Sequence, residues 1–274
     1  MVDFYDEIED ILLEGPFKSK IEKFNTFLSK FESGDMDFVG ANPPKRFTTP
    51  SYAKICNIVP PQKVPKRSNF ATNEGRAKLL HAIAHIEYSA IDLALDAAYR
   101  FRGLPEKFYE DWIEVAKDEV YHFELIETLL EELGYEYGDF DVHSSIFEAS
   151  VKTSHSLLER MAVIPRYLEA NGLDATPMIL KKLQNFSKDN FIKRVIEALH
   201  IILDEEVSHV KKGDYWFKWA CKQESLEESV YFDIIKKYYP NEFVKTRELN
   251  VSDRRRAGFS CDELRVLNKK IECV

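Results

Sequence analysis

The sequence contains no window of about 18 uninterrupted apolar residues, no CxxC pair and no segment with convincing strand-like alternation. Glycine occupies only 10 of the 274 positions. These absences argue against a membrane-spanning helix and a disulfide framework, and they favour a helix-rich chain. We expect the four cysteines to be free thiols in a reducing compartment.

Positive charge is also scarce, since 38 basic residues face 47 acidic ones and the formal net charge is −9. This balance disfavours binding to nucleic acid or to an anionic membrane. The basic run Arg254–Arg256 is too short to reverse it. The amino terminus, MVDFYDEIED, is acidic and has no cationic region followed by an apolar run, so no signal peptide is expected. The sequence therefore predicts a cytoplasmic protein.

Proline content and apolar periodicity divide the chain into three regions. Residues 1–71 combine one or two short helices, broken at Gly15, with an extended segment that holds six of the eleven prolines. Residues 72–222 carry four long amphipathic patterns, expected at about 72–102, 105–133, 144–171 and 189–222, with a bend in the third at Pro165. The connection LDATPMILKKLQNFSK, between the third and the fourth, is expected to add a short helix. Residues 223–274 form a C-terminal helical extension around the loop NVSDRRRAGFS. Four long helices with one longer connection predict an all-α fold, an antiparallel four-helix bundle.

Two Glu-x-x-His motifs interrupt helix faces that are otherwise apolar. Residues three or four apart line one face of a helix. Glu119 and His122 share such a face with Val115, Ile126 and Leu129. Glu206 and His209 share another, whose remaining members are Val195, Leu199, Ile202, Gly213, Trp216 and Ala220. A third copy, Glu197 with His200, continues through polar positions and is expected to be solvated.

Two further glutamates interrupt apolar faces on the other long helices. Glu87 lies in a stripe with Ile83, Ala90 and Ala94, and Glu169 follows Leu158, Ala162 and Pro165. On the third helix Glu159 is the alternative, although its neighbours at helical spacing are more polar. Glu87 precedes Glu119 by 32 residues and Glu169 precedes Glu206 by 37, against 47 for Glu159. The spacing favours Glu169 and leaves Glu159 open.

Four carboxylates and two imidazoles that converge in a helical bundle form the ligand set of a di-iron or di-manganese carboxylate site. A buried carboxylate needs a partner, because an isolated charge in a low dielectric is very costly. Two divalent ions neutralise four carboxylates, and oxygen-rich ligands suit iron and manganese. We therefore predict two iron ions, with manganese as the alternative, held by the residues Glu87, Glu119, His122, Glu169, Glu206 and His209.

Other polar residues near these motifs are expected to lie outside the ligand set. His81 and His85 are four residues apart, but their helix face runs on to Tyr88 rather than through Glu87. Tyr88 and Tyr121 adjoin ligands and are expected to serve in packing, because adjacent helix positions point about 100° apart. For Arg160 and Arg166 on the third helix the sequence leaves open whether they pair with ligand carboxylates or with nearby aspartates.

Several stretches of the sequence resemble an uncharacterised bacterial family, a domain of unknown function within the ferritin-like superfamily. They are LLHAIAHIEYSAIDLALDAAYRF, EVYHFELIETLLEELGYEYGD, RMAVIPRYLEANGLDATP and DEEVSHVKKGDYWFKW, with VPPQKVPKR before them and RRRAGFS after them, and they cover roughly residues 40 to 265. The resemblance implies a ferritin-like four-helix bundle with a dinuclear metal centre. It also implies that the family's acidic position in EANGLD falls on Glu169.

The ligand set predicts an oxygen-dependent oxidase or hydroxylase of unknown substrate. Its partners would be dioxygen and a small molecule, with the electron donor and a homodimeric state left open, and with neither nucleic acid nor membrane. One alternative is an iron-binding or ferroxidase protein. The other is a ferritin-like interaction scaffold without catalysis.

Overall fold

The computed structural model describes residues 2–244 and 247–272, and these are mostly helical, as the all-α prediction requires. Within the described residues, extended pairing is confined to two short elements and one bridge. The two-residue strands β1 (Val2–Asp3) and β2 (Met36–Asp37) pair in parallel, and Ile58 bridges to Val142. The chain divides into two compact units, Met1–Val151 and Lys152–Val274.

The first unit begins with two short helices, α1 (Phe4–Leu13) and α2 (Phe17–Glu32), separated at Gly15 as expected. The proline-rich segment that follows is irregular apart from two 3-10 turns, Ser51–Lys54 and Pro61–Lys63. Aromatic side chains fix this layer, since the Phe4 ring packs on Phe27 and Phe38 at centroid distances of 5.6 and 4.4 Å.

The core of the first unit is a hairpin of two long helices, α3 (Asn73–Arg100) and α4 (Glu106–Glu132). The Thr72 side chain caps α3 by accepting a hydrogen bond from the Gly75 amide at 3.1 Å. Gly103, with a φ of +71°, allows the short reversal before α4. A further helix, α5 (Ser145–Lys152), ends one residue past the boundary between the units.

The second unit is organised around one long helix, α8 (Asn190–Gln223). Three consecutive segments pack on it: α6 (Leu157–Val163), a π-helical segment (Ile164–Glu169) and α7 (Ala170–Leu183). A 3-10 turn, Gln184–Phe186, precedes α8. After α8 come α9 (Val230–Tyr238), the 3-10 turn Glu242–Val244, α10 (Val251–Arg256) and α11 (Cys261–Leu267).

The prediction of one long helix over 144–171 is wrong. Turns at residues 153–156 separate α5 from α6, and the helix continues beyond Gly172 to Leu183 instead of ending there. Gly172 reads as a stop signal in the sequence, but a Cβ at this position would meet no atom within 4 Å. The position therefore makes no structural demand for glycine, and helical geometry passes through it.

Three further expectations bear on the architecture. The loop NVSDRRRAGFS is not all loop, because it contains α10. The boundary between the two compact units falls inside residues 72–222, and the division into 1–71, 72–222 and 223–274 stays a prediction. No helix in the described part of the chain is long and apolar enough to cross a membrane.

The expectation of four free thiols holds for Cys56 and Cys221, which are free and buried. It is wrong for Cys261, which is disulfide-bonded. Cys273 lies outside the described residues. Location in the cytoplasm stays a prediction.

Candidate metal centre

Three predicted ligands meet in the core of the first unit. Glu87 on α3 and the pair Glu119 and His122 on α4 are all buried. The Nδ1 atom of His122 lies 3.3 Å from Oε2 of Glu119 and 3.4 Å from Oε2 of Glu87. One ligand atom from each of the three residues lies within 4.8 Å of the others. Two carboxylates and one imidazole thus face one point, as the sequence predicts.

Burial and mutual charge decide how these groups titrate. Burial, together with the nearby charge of Glu119, raises the pKa of Glu87 to about 7. Burial lowers the pKa of His122, but the hydrogen bonds and charges of Glu119 and Glu87 outweigh that effect and raise it to about 12. The imidazolium between the two carboxylates therefore offsets one of their two negative charges, and the raised pKa of Glu87 reduces the charge that remains.

The α3 register that presents Glu87 is fixed by the next residue. The Tyr88 hydroxyl donates a 2.6 Å hydrogen bond to the Gly15 carbonyl, and its ring stacks on Tyr137 at 5.3 Å. The packing role expected for Tyr88 is confirmed. The same expectation is wrong for Tyr121, whose side chain is 47% exposed.

His81 and His85 lie outside the triad, as expected, and hold the loop that follows α4. The His81 Nε2 atom accepts the Gly138 amide at 3.0 Å, so this nitrogen must be unprotonated. The His85 Nε2 atom is 2.9 Å from the carbonyl of His143 and must donate to it. Burial lowers the pKa of His85 and favours the neutral ring, in which the Nδ1 atom accepts from the Tyr137 hydroxyl at 2.8 Å. Both rings are therefore neutral structural groups.

Acid is expected to weaken the first unit through these two rings. Burial lowers the pKa of His81 and of His85 to about 4, from an ordinary value of 6.5. Between these values the unfolded chain binds more protons than the folded one. The free energy of unfolding should therefore keep its maximum value above pH 6.5. It should fall by up to about 3 kcal/mol for each ring as the pH drops toward 4. Urea unfolding across this range measures it. If the free energy of unfolding of His81→Gln fell with pH as steeply as that of the wild type, the assignment of this pH dependence to His81 would be contradicted.

The second unit carries the other three predicted ligands. Glu206 and His209 lie one turn apart on α8, and Glu169 is the last residue of the π segment that packs on α8. His209 is fully buried, whereas Glu206 and Glu169 are half-buried. The pair on α8 has the spacing of the pair on α4, so each unit contributes two glutamates and one histidine.

The π segment changes the reasoning that selected Glu169. The stripe through Leu158, Ala162 and Pro165 assumes about 100° per residue along a continuous α-helix. A π segment widens each turn by about one residue, so the phase slips by roughly 100° before Glu169 is reached. Pro165 is a cause of the slip because it has no N–H for an α-helical hydrogen bond. The side of the helix on which Glu169 lies could therefore not be derived from periodicity alone.

The alternative ligand, Glu159, is engaged elsewhere in the second unit. Its carboxylate accepts a hydrogen bond from Lys237 at 2.6 Å and another from the Tyr238 hydroxyl. The His155 Nε2 atom lies 3.1 Å away. Burial raises the pKa of Glu159, but the hydrogen bonds from Lys237 and Tyr238 lower it overall. These partners give Glu159 a role in the ion pairs of α6 and α9.

Close contact between Gly213 and Pro165 sets how the π segment lies on α8. A Cβ at Gly213 would lie 2.3 Å from the Cβ of Pro165, a distance that real side chains do not show. Gly213 is one turn beyond His209, so glycine at this position allows the backbone that carries Glu169 to approach the ligand pair.

Replacing Gly213 by alanine is expected to push the π segment off α8. We expect a loss of about 1–3 kcal/mol in the free energy of unfolding, because a proline ring cannot move aside as a flexible side chain can. Gly172→Ala is the matched control, since α7 has room for a methyl group there and alanine should be neutral or stabilising by up to about 1 kcal/mol. Chemical unfolding of both variants checks this. Equal stability of the two would contradict it.

The third Glu-x-x-His motif lies on the surface of α8. Glu197 and His200 are both exposed, as the sequence predicts for this copy. Asp214 was not identified from the sequence, although it is the next residue after Gly213, a member of the stripe that carries Glu206 and His209. Its carboxylate accepts a 2.7 Å hydrogen bond from Arg166 of the π segment. The signal that could have indicated Asp214 was Arg166, an arginine for which a carboxylate partner was considered.

The chain belongs to a protein family, whose model matches residues 14–265 and is described as "Protein of unknown function (DUF455)". It is also similar to an uncharacterized protein of Haemophilus influenzae, with 43% identity over 215 residues, which cover 76% of this chain and 72% of the relative. No solved structure matches the chain. The family assignment therefore agrees with the resemblance as far as a domain of unknown function, and ferritin-like membership stays a proposal.

Proposed function

We propose that this chain is a dinuclear metal carboxylate protein, with iron as the metal, that uses dioxygen to oxidise a small organic molecule. The buried triad of Glu87, Glu119 and His122 is the observation that carries the proposal. In this proposal Glu169, Glu206 and His209 complete the centre, and the four long helical regions form a ferritin-like bundle around it.

The residues of the first triad fit a metal ion in chemistry and position. Oε2 of Glu87 is buried, and its contact with Nδ1 of His122 is long, at 3.4 Å. Its neighbours within reach are His122 and a second carboxylate, so the pKa of Glu87 is raised by burial and by like charge. A divalent ion bound by these carboxylates would offset both the cost of burying their charge and the repulsion between them.

The composition of the second triad supports a dinuclear rather than a mononuclear centre. Each triad brings two carboxylates, which match the charge of one divalent ion. The order along the chain is the same in both, a glutamate followed after more than thirty residues by Glu-x-x-His. Six ligands of this kind, four carboxylates and two imidazoles, are what a di-iron carboxylate centre uses.

An iron pair, when bound, supplies the electrons and the affinity for dioxygen that side chains cannot supply. The side chains hold and release protons around it. The proton on the Nδ1 atom of His122, held by Glu119 and Glu87, must leave before that nitrogen can act as a ligand. Metal loading should therefore release protons and become stronger as pH rises.

Metal retention after anaerobic loading with ferrous iron tests the proposal. We expect about two ions per wild-type chain and almost complete loss in Glu119→Ala, because that variant leaves one carboxylate in the first triad. Glu197→Ala is the matched control, since it removes an exposed glutamate from the same kind of motif on α8. Mass spectrometry of desalted protein gives the metal content. Equal loss in the two variants would contradict the ligand assignment.

Dioxygen consumption by the loaded wild type then separates the proposal from its alternatives. An oxidase consumes dioxygen and keeps about two ions per chain. A ferroxidase would accumulate ferric ion well beyond that content. A scaffold would retain no metal and consume no dioxygen beyond the rate of free iron.

A further inference from the structure

The π segment that ends at Glu169 needs a structural cause, because π-helical turns are rare and are found where something stabilises them. The amide of Ala170 is directed at the Pro165 carbonyl, five residues earlier, which is the hydrogen bond of a π turn. Pro165 explains why the α-helical pattern is interrupted. It does not explain what prevents the next residues from returning to α-helical phase.

One contact reaches the middle of the turn from α9. The Tyr231 hydroxyl donates a 3.2 Å hydrogen bond to the main-chain carbonyl of Arg166, and the Tyr231 ring lies 4.2 Å from the Arg166 guanidinium. Both side chains are buried. This contact ties the backbone three residues before Glu169 to the C-terminal extension.

A second contact reaches the residue just after Glu169 from α10. The Nη2 atom of Arg254 donates a 3.0 Å hydrogen bond to the Ala170 carbonyl and a 2.7 Å hydrogen bond to Asp174. Its Nε atom reaches the other carboxylate oxygen of Asp174 at 3.0 Å. Only a planar guanidinium can bind a carboxylate with two nitrogens and still donate to a carbonyl in this way.

Asn250, at the start of α10, strengthens this attachment. Its side-chain amide donates to the Leu173 carbonyl at 3.2 Å, and its main-chain amide donates to Asp174 at 2.9 Å. The first turn of α7 is therefore held by α10 at several backbone and carboxylate oxygens. The sequence stretch RRRAGFS, whose first arginine is Arg254, thus has a structural purpose that the metal ligands alone do not explain.

We propose that Arg254 and Tyr231 are positioning residues for Glu169, an inference that rests on the proposed metal centre. The carbonyls that they bind belong to Arg166 and Ala170, which lie on either side of Glu169 in the chain. Together they hold the backbone in its π conformation. Without them the segment can shift its phase by about one residue, which turns the Glu169 carboxylate by roughly 100°.

Two conservative substitutions test this without emptying the core. Arg254→Lys keeps the positive charge but loses the planar guanidinium, and Tyr231→Phe keeps the aromatic ring but loses the hydroxyl. Arg256→Lys is the matched control, because Arg256 lies on the same helix and pairs with Asp204 and Asp253 at the surface. In the metal-free chain of 274 residues, hydrogen exchange of the amides at 166–171 should be at least about ten times faster in the first two variants than in the control.

Metal affinity provides the readout that a merely stabilising contact would not change. Arg254→Lys should weaken ferrous iron binding about 10–100-fold, the usual effect of losing a residue that orients a ligand. Glu169→Gln should weaken it at least as much. The double variant Arg254→Lys with Glu169→Gln should bind no more weakly than Glu169→Gln alone, because Arg254 acts through Glu169.

The outcomes separate this inference from the proposed function. Unchanged exchange in Arg254→Lys, or affinity losses that multiply in the double variant, would overturn the positioning role and leave the metal centre intact. Full metal affinity in Glu169→Gln, with metal lost in Glu119→Ala, would do the same. A wild-type chain that retains no iron would overturn the proposed function, and the ligand role of Glu169 with it.

Discussion

Arg166→Met is expected to destabilise the protein by about 3 kcal/mol or more, because it removes a buried cation from between two carboxylates. The Arg166 side chain is fully buried, and its guanidinium donates to Asp214 at 2.7 Å and to Glu263 at 2.5 Å. The guanidinium also lies 4.7 Å from the Phe259 ring. Methionine fills the apolar part of this space, but both acids lose a partner.

Urea unfolding at neutral pH measures the effect, with Arg265→Met as the matched control. Arg265 forms an exposed ion pair with Asp262 at 3.0 Å, so its loss should change the free energy of unfolding by less than about 1 kcal/mol. Asp214 keeps Lys218 at 2.8 Å in the Arg166 variant, which limits the cost. A loss below about 1 kcal/mol for Arg166→Met would show that the buried cation is not needed there.

Lys20→Met is expected to destabilise the first unit by a similar amount. Lys20 is fully buried on α2, and its ammonium pairs with Asp92 of α3 and donates to the Ser51 hydroxyl at 3.2 Å. Burial lowers the pKa of Lys20 and raises the pKa of Asp92, so each charge depends on the other. Breaking such a pair costs about 3–5 kcal/mol, more than its formation contributes.

The pH dependence of this variant gives a signature. Without Lys20 the pKa of Asp92 in the folded state rises further above its ordinary value of 3.8. The folded chain then binds more protons than the unfolded one, so the variant should lose stability as pH rises from 4 to 7. Lys20→Met with Asp92→Asn should recover most of the loss. Lys30→Met, at a half-exposed pair with Glu7, should cost less than about 1 kcal/mol. A cost independent of pH would contradict the role of Asp92.

The first triad could be predicted because its helices follow simple periodicity. Around Glu87, Glu119 and His122 the chain is regular α-helix for many turns, so an apolar stripe identifies the buried face. The same reasoning excluded Glu197, which is exposed, from the predicted ligands. Helix starts were also readable, since the capping side chain of Thr72 and the proline before α4 are local signals.

The third helical region could not be predicted because its structure depends on contacts distant in sequence. The π turn before Glu169 is held by Tyr231 and Arg254, which follow it by more than sixty residues. Pro165 is a local signal that the α-helix is interrupted, but no local pattern indicates the distant residues that contact the π turn. Gly172 shows the reverse error, a residue that resembles a helix stop but lies inside α7 because the helix packs on α8.

Metal stoichiometry of the 274-residue chain, purified without chelator, tests the central claim that both triads serve one centre. Mass spectrometry of the wild type should give about two iron or manganese ions per chain. Glu206→Ala, which changes only the second triad, should lose both ions, because in the proposed centre the two triads would hold the pair of ions together. One fully occupied ion in Glu206→Ala would mean two independent sites. No metal in the wild type after anaerobic loading with ferrous iron would contradict the account altogether.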